Sequence, residues 1–382
     1  MKPKISLFGP SPRFLSGISY YTIRLANSLS LHTNLTAILF REMLPRLIFP
    51  GGKRVGNELT SLQYSNQVSV REVIDWYNPA SWFRAARIAK KSDLILLQWW
   101  TSSVAHMYLL IILINRRRCK IVTEFHEVLD PLEHSILPLR FYSRMVAWVI
   151  RKNVTHFVVH SEHDKKLVSH EYRIKESRIT VIPHGLYDHY CPVECESVRD
   201  QLQIYEQFII LFFGLIRPYK GLKYLIQAFE SMGHEELLNA RLLVVGELWE
   251  DTESVSAITG SRVQEKITFV NRYVDDAEIC SYFSLASVVA LPYTRASQSG
   301  VAHIAISFGL PVVASDVGGL KEALQGYKGA TFVPPCDSDA LKLALLSWKG
   351  SHERFTPPEH LSWEIIAESW INLWNTFSEV SP

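Results

Sequence analysis

Three short stretches of the sequence group glycine with cations or hydroxyls in the manner of an anion site. In FFGLIRPYKGLKYLIQAFE (212–230), Gly214 closes a strand-like run, and Arg217 and Lys220 follow before a helical pattern. Two fixed cations at the carboxyl end of a strand suit a diphosphate, although an isolated R-x-x-K is more often two solvated loop charges. In YTRASQSGVAHIAISFGLPVVAS (293–315), a serine-rich turn leads into Gly300 and Val301 and a helix-like run. Ser297 or Ser299 can cap that helix, whose first free N–H groups can then receive a phosphate oxygen. Apart from Arg295, this turn holds no acid or base. In GPSPRFLSGISYY (9–21), Gly17 lets the backbone approach a ligand at a helix start. The spacing is not GxGxxG, so a nicotinamide cofactor is not supported.

A fourth stretch, TEFHEVLD (123–130), puts His126 just past a strand, flanked by Glu124, Glu127 and Asp130. A histidine there can serve as a base, as a hydrogen-bond donor to substrate, or as a satisfied structural residue; taken alone, structure has the edge. Gln98, Trp99 and Trp100 end the neighbouring strand and suit either stacking on a sugar or core packing. The five cysteines are scattered, and Cys191 and Cys195 have no second Cys/His pair at metal spacing. They read as reduced thiols of a cytosolic protein, and no metal site is expected.

The elements that must hold these residues alternate. Strand-like runs at 4–9, 35–40, 92–98, 119–125, 155–161 and 179–185 are interleaved with helical patterns at 19–29, 103–115, 137–152 and 162–170. Continuous apolar strands separated by helices predict a parallel sheet covered on both faces. The polar stretch 186–207 interrupts the pattern, which restarts with strands at 208–214, 241–246, 266–270, 287–292, 310–315 and 330–333. A chain of 382 residues is too long for one ordinary core. The expectation is two doubly wound α/β domains, 1–190 and 191–357, then a tryptophan-bearing amphipathic helix within 358–382. Ligands of such sheets bind beyond the strands' carboxyl ends, so a cleft between the domains is the expected site.

Charge is uneven. Residues 1–190 carry 26 Lys+Arg against 14 Asp+Glu, while the remainder carries 14 against 24. A basic half attracts phosphate-rich surfaces, though no nucleic-acid recognition motif accompanies it. The longest apolar run, Met107 to Ile114, is too short to span a membrane and ends in Arg116, Arg117 and Arg118. With Arg140, Arg144, Arg151 and Lys152 it suggests either an interfacial face for anionic lipid or ordinary helix packing. The N-terminus reads as a strand without a leader pattern, so the expected location is cytoplasmic, with peripheral contact at the inner membrane face as one reading.

FFGLIRPYKGLKYLIQAF, LPYTRASQSGVAHIAISFGLPVVASDVGGLKEAL, VIPHGLYD and SGISYYTIRLANSL together resemble the group 1, or family four, retaining nucleotide-sugar-dependent glycosyltransferases. The resemblance covers most of the chain in the expected order. It implies two facing Rossmann-like domains (the GT-B architecture), a C-terminal helix crossing back to the first domain, and independence from a divalent metal. The implied donor is a nucleotide diphosphate sugar, with no other cofactor. The acceptor is a glycan, lipid-linked or small-molecule compound.

Residue by residue, Lys220 matches the family's lysine on the donor diphosphate, with Arg217 as its partner arginine. In many members that arginine directly follows the glycine, where this chain has Leu215. His126 matches the histidine that reaches the donor sugar, and Gly17 the first-domain glycine loop. Most members carry two glutamates eight positions apart in the segment that here holds SQSG. Anchored on GLPVV they fall at Ala296 and Ile304, and Gln298 or Ser299 is the expected replacement for the sugar contact. Two rival readings stay open: a nucleotide-sugar 2-epimerase of the same architecture, and a non-catalytic nucleotide-sugar-binding protein.

Overall fold

The computed structural model describes residues 2–13, 17–42, 62–128 and 137–378. They form two compact units: 1–185 with 360–382, and 186–359.

The first unit is built on seven parallel strands: β1 (Lys4–Pro10), β2 (Asn34–Glu42), β3 (Ser69–Asp75), β4 (Leu94–Trp99), β5 (Lys120–Phe125), β6 (His156–Val159) and β7 (Ile179–Val181). Their order across the sheet is β3-β2-β1-β4-β5-β6-β7. Side chains alternate between two apolar layers, as the two-residue period of a strand requires. Ile5, Leu7, Leu94, Leu96, Val122 and Val158 face a layer completed by Tyr21, Leu25 and Leu29 of the helix Gly17–Ser30 and by Trp363, Ile366 and Trp370 of the helix Trp363–Ser378. Phe8, Ile95, Leu97, Ile121 and Phe157 face the other layer, with Ala85 and Ala86 of the helix Pro79–Ala89, Met107 and Ile111 of the helix Ala105–Asn115, and Val146 and Ile150 of the helix Leu137–Asn153. The C-terminal helix thus completes the core of the first unit, and its tryptophans are packing residues.

The second unit has six parallel strands: β8 (Phe208–Phe213), β9 (Ala240–Val245), β10 (Ile267–Val270), β11 (Val288–Leu291), β12 (Val312–Ser315) and β13 (Ala330–Val333), ordered β10-β9-β8-β11-β12-β13. In both sheets the order runs outward in one direction from the first strand and then jumps to its other side. That jump makes a topological switch point, between β1 and β4 and between β8 and β11.

The units divide at 185/186, five residues before the boundary read from the sequence, and at 359/360. Leu186, Tyr187 and Tyr190 are buried in the second unit, and the Tyr190 hydroxyl hydrogen-bonds the carboxylate of Asp276. Gly185 ends the first unit under the Trp363 indole, where a β-carbon would stand 2.5 Å from the ring. No helix among the described residues is long and apolar enough to cross a membrane.

Candidate functional site

The β8–β11 switch point of the second unit gathers most of the residues singled out from the sequence. β8 ends in Gly214, which adopts φ +99°, and a short turn Pro218–Lys220 carries Lys220 back toward it. A β-carbon at Gly214 would lie 2.8 Å from Lys220 Nζ and 3.4 Å from Val301 Cγ2, so the glycine makes the room these groups occupy. Gly221 takes φ +66° and starts the next helix, with its α-carbon against the Pro292 carbonyl; a β-carbon there would be 2.0 Å from that oxygen. The Thr294 N–H donates to the Tyr219 carbonyl at 2.8 Å. The loops after β8 and β11 are therefore stitched together, and the glycine of the Lys-Gly pair is a packing requirement.

Lys220 is buried, with 8% of its surface exposed. Burial, and then the neighbouring Arg217 charge, lower its pKa to about 8. Arg217 stacks its guanidinium over Trp249, 4.8 Å from the ring centroid. Among the described residues neither cation is paired with a carboxylate. Two close, uncompensated cations in a partly desolvated place are unfavourable until an anion arrives.

The loop after β11 supplies the other half. Ser299 is the N-cap of the helix Gly300–Ser307: its hydroxyl accepts from the Ala302 N–H at 3.3 Å. Tyr293, whose hydroxyl lies 3.4 Å from Ser299 Oγ, has its ring 5.6 Å from Lys220 Nζ. The Gln298 amide nitrogen is buried and has no hydrogen-bond partner among the described residues. Gly300 stands against Tyr187, whose hydroxyl is 3.2 Å from where its β-carbon would be. Trp249, Tyr293 and Tyr187 escaped the sequence reading. Trp249 and Tyr293 lie just beyond strand ends, and that position was the available signal.

In the first unit, a different set converges at the ends of β4, β5, β6 and β7. His126 follows β5, with its N–H bonded to the Trp99 carbonyl at 2.8 Å. Around it lie Glu124, His160, His184 and Tyr21. Gln98 is fully buried and donates to Glu124 at 3.2 Å, while Trp99 lies in the core; neither is placed to stack on a ligand. Gly17 begins the first helix, and residues 14–16 before it lie outside the described set. Gly9, not singled out from sequence, is the glycine of closest approach here: a β-carbon would be 2.3 Å from Gln98 Oε1.

Comparison with known proteins fits this geometry. A model described as glycosyl transferases group 1 matches residues 207–348, and one described as glycosyltransferase family 4 matches residues 60–188. The two ranges do not overlap, and together they span well over half of the chain. The chain belongs to the group 1, family four glycosyltransferases.

Relatives include a glycosyltransferase of Methanocaldococcus jannaschii, 28% identical over 46% of each chain, and the lipopolysaccharide 1,2-N-acetylglucosaminetransferase of Salmonella typhimurium, 25% identical over 55% of this chain and 58% of that one. The chain thus spans about half the length of these curated relatives. Among solved structures, Anabaena HepE in complex with UDP-glucose superposes with a TM-score of 0.67 at 16% identity, over 99% of this chain and 98% of the other. That likeness speaks for the fold: two Rossmann-like units of the GT-B architecture.

Ala296 and Ile304, the positions to which the resemblance assigns the family's two glutamates, hold no acid. Ala296 offers only its backbone, whose carbonyl accepts from the Gly319 N–H at 3.1 Å. Ile304 is buried at 7% exposure in the second unit.

Proposed function

We propose that this glycosyltransferase is a retaining enzyme that moves a sugar from a nucleotide diphosphate donor to a lipid-linked glycan, without a divalent metal. The observation that carries the reading is Lys220. A buried ammonium beside Arg217, with no carboxylate partner among the described residues, at the carboxyl end of β8, calls for a di-anionic ligand. The diphosphate of the donor supplies those charges, and the N-terminus of the helix Gly300–Ser307 receives a further oxygen through the N–H groups beside Gly300 and Val301.

As the sugar–oxygen bond breaks, negative charge grows on the leaving diphosphate. Arg217, Lys220 and the helix start stabilise it; donors of this kind are worth about 3–4 kcal/mol each when removed. The departing phosphate takes the acceptor's proton on the same face, so no carboxylate nucleophile is needed. Gln298 offers its unpartnered amide to the donor sugar, in place of the absent glutamate. His126 donates a hydrogen bond to the sugar, and Gly17, which begins its helix, is the first unit's matching glycine.

The lipid-linked acceptor is supported by one surface of the first unit. Leu113 and Ile114 are exposed at 45% and 37%, and Arg116, Arg117 and Arg118 follow them in the open. Met145 and Trp148 are exposed at 53% and 50% on the helix Leu137–Asn153, where Lys152 Nζ sits 4.1 Å from the Trp148 ring centroid. Arg116 bonds Asn153, which ties the two helix ends into one patch. The side chains of Arg140 and Arg144 lie outside the described set. Apolar side chains ringed by cations suit an anionic leaflet, and such a lipid surface would hold the enzyme at the cytoplasmic face.

The test is donor turnover. The protein should slowly release free nucleoside diphosphate from its nucleotide sugar without acceptor, and Lys220→Ala should slow this by roughly 10²–10³. Binding without any release in the wild type would favour a non-catalytic sugar-nucleotide-binding protein instead.

A further inference from the structure

The stretch YCPV (190–193) runs along one helix of the second unit. The Tyr190 hydroxyl hydrogen-bonds the carboxylate of Asp276, in the first turn of the helix Asp276–Leu285. The Val193 N–H donates to Ser284 Oγ at 3.0 Å, in the last turn of the same helix. Asp276, Cys280 and Ser284 follow one another at intervals of four, so they lie along one face. At 1.5 Å per residue the two anchor points stand about 12 Å apart along the axis. Three residues of extended chain cover about 10 Å. Pro192 biases Cys191, the residue before it, toward extended backbone. The segment is thus laid along the helix, with Cys191 between its two anchors and Cys280 midway along the face they share.

The two thiols are neighbours there. Cys280 is half-buried and Cys191 exposed. Burial pushes the Cys280 thiol up, the Cys191 N–H opposes that, and the Cys191 sulfur and the Asp276 carboxylate add to it. Groups that act on a thiol in this way stand beside it. The other cysteines are placed elsewhere. Cys195 follows Val193, which is already anchored at Ser284, a helical turn beyond Cys280. Cys336 sits beside Tyr224, and Cys119 is buried in the core of the first unit. A disulfide joins α-carbons about 4.4–6.8 Å apart. With the Cys280 thiol facing the main chain of Cys191, closure asks chiefly for rotation of the exposed Cys191 side chain.

We propose that Cys191 and Cys280 are a reversible disulfide pair, open in a reducing milieu and closed by a low-molecular-weight disulfide such as glutathione disulfide. The exposed Cys191 reacts first. Its thiolate attacks one sulfur of glutathione disulfide, that S–S bond breaks, and one glutathione leaves as a thiolate. Cys280 then loses its proton and attacks the Cys191 sulfur of the mixed disulfide. The bond to glutathione breaks, and the second glutathione leaves. Two protein thiols have become one disulfide, and one glutathione disulfide has become two glutathione thiols, which take up the two protons. Excess glutathione runs the same steps backwards.

The bond fastens a segment that borders the anion site. Tyr187 is buried and stacks on Tyr190, with ring planes 12° apart and centroids at 6.3 Å. The Tyr187 hydroxyl stands 3.2 Å from where a β-carbon on Gly300 would be, at the first residue of the helix Gly300–Ser307. A continuous set of contacts therefore leads from that helix start through Tyr187 and Tyr190 to the thiol pair. This consequence rests on the reading of the helix start as a holder of the donor diphosphate. Closing the pair restrains Tyr187 in the place it already occupies, which preorganises one wall of the site and strengthens its hold on a diphosphate. The bond also closes a long loop, 191–280, that includes β8 and the turn bearing Lys220.

The test incubates the wild-type protein with glutathione disulfide, blocks the remaining thiols with N-ethylmaleimide and digests it without reductant. Mass spectrometry of the peptides should find Cys191 joined to Cys280, and dithiothreitol should part them. In Cys280→Ser the glutathione should stay on Cys191, because nothing displaces it. In Cys195→Ser the bond should form as in the wild type. The oxidised wild type should melt several degrees above the reduced protein, since the bond restrains the unfolded chain. Its affinity for uridine or guanosine diphosphate, whichever the reduced protein binds, should rise at least twofold by calorimetry. A lasting glutathione adduct on wild-type Cys191, a Cys191–Cys195 link, no reaction at Cys191, or a lower melting temperature after oxidation overturns the pair. A bond that forms and leaves diphosphate affinity unchanged overturns the link to the site through Tyr187. If the bond forms while neither form binds a nucleoside diphosphate, the donor-site reading falls and the thiol pair stands.

Discussion

Lys220 Nζ lies 2.8 Å from the point where a β-carbon on Gly214 would stand. Gly214 also adopts φ +99°, which costs an L side chain about 1–3 kcal/mol. The smallest substitution, Gly214→Ala, therefore acts twice: it strains the end of β8 and displaces the ammonium. Expected outcomes are a loss of stability of that order in denaturant melts and at least a tenfold weaker affinity for a nucleoside diphosphate by calorimetry. An unchanged affinity in a folded variant would remove the β8 end from the donor site.

Lys220 gives the same site a pH signature. Its pKa falls from the ordinary 10.5 to about 8 through burial and the Arg217 charge. Between those values the unfolded chain holds the proton and the folded chain does not. This group therefore makes the free protein more stable as pH rises across that window, and below about 8 its full penalty is present. A bound diphosphate cancels the penalty by pairing with the cation. The ligand-induced rise in Tm should thus be largest below pH 8 and shrink above it. Lys220→Met should melt no lower than the wild type when free, and should lose both the ligand shift and its pH dependence. Turnover of Lys220→Ala should fall by roughly 10²–10³.

What the sequence showed and what it hid follow from the same physics. The strands at 208–213 and 94–99 are buried on both faces, so they stand out as unbroken apolar runs. β3 sits at a sheet edge, with Arg71 and Glu72 in a half-exposed strand, and neither it nor the helix Pro79–Ala89 after it was legible. Lys220, Arg217 and Ser299 were legible because glycines and strand ends mark a switch point. Glu124 and His126 could be read together at the end of one strand, but His160 could not be added to them, since it follows β6 and only the parallel pairing of β5 with β6 brings it alongside. Arg217 over Trp249 is another such case, joining the ends of β8 and β9.

Ser299 separates a structural from a ligand-binding role. Its hydroxyl caps the helix Gly300–Ser307. Ser299→Ala should lower stability by about 0.5–2 kcal/mol and weaken diphosphate binding, because the first turn frays. Ser299→Asp keeps a cap and satisfies the helix dipole, so it should melt near the wild type. Its added negative charge would nevertheless repel a phosphate at the same N–H groups. Near-normal melting with diphosphate affinity reduced more than in Ser299→Ala is the expected pattern. Equal affinities in the two variants would show that the helix start does not hold the anion.

The patch of Leu113, Ile114, Met145 and Trp148 with Arg116–Arg118 and Lys152 predicts a salt-sensitive lipid surface. Each cation near an anionic leaflet contributes about 1 kcal/mol, so replacing Arg116, Arg117 and Arg118 with glutamine should weaken binding to phosphatidylglycerol vesicles by about 3 kcal/mol, roughly a hundredfold. Raising salt toward 1 M shortens the screening length to about 3 Å and should release the wild type to a similar degree. Trp148→Ala should act differently. It removes apolar burial and the ring beneath Lys152, so its loss of binding should persist at high salt, where the arginine effect has faded. Co-sedimentation across a salt series reads both effects, with neutral phosphatidylcholine vesicles as the control. Binding that ignores salt and lipid charge, or no binding at all, would leave the patch as plain surface and take away the support for a lipid-linked acceptor.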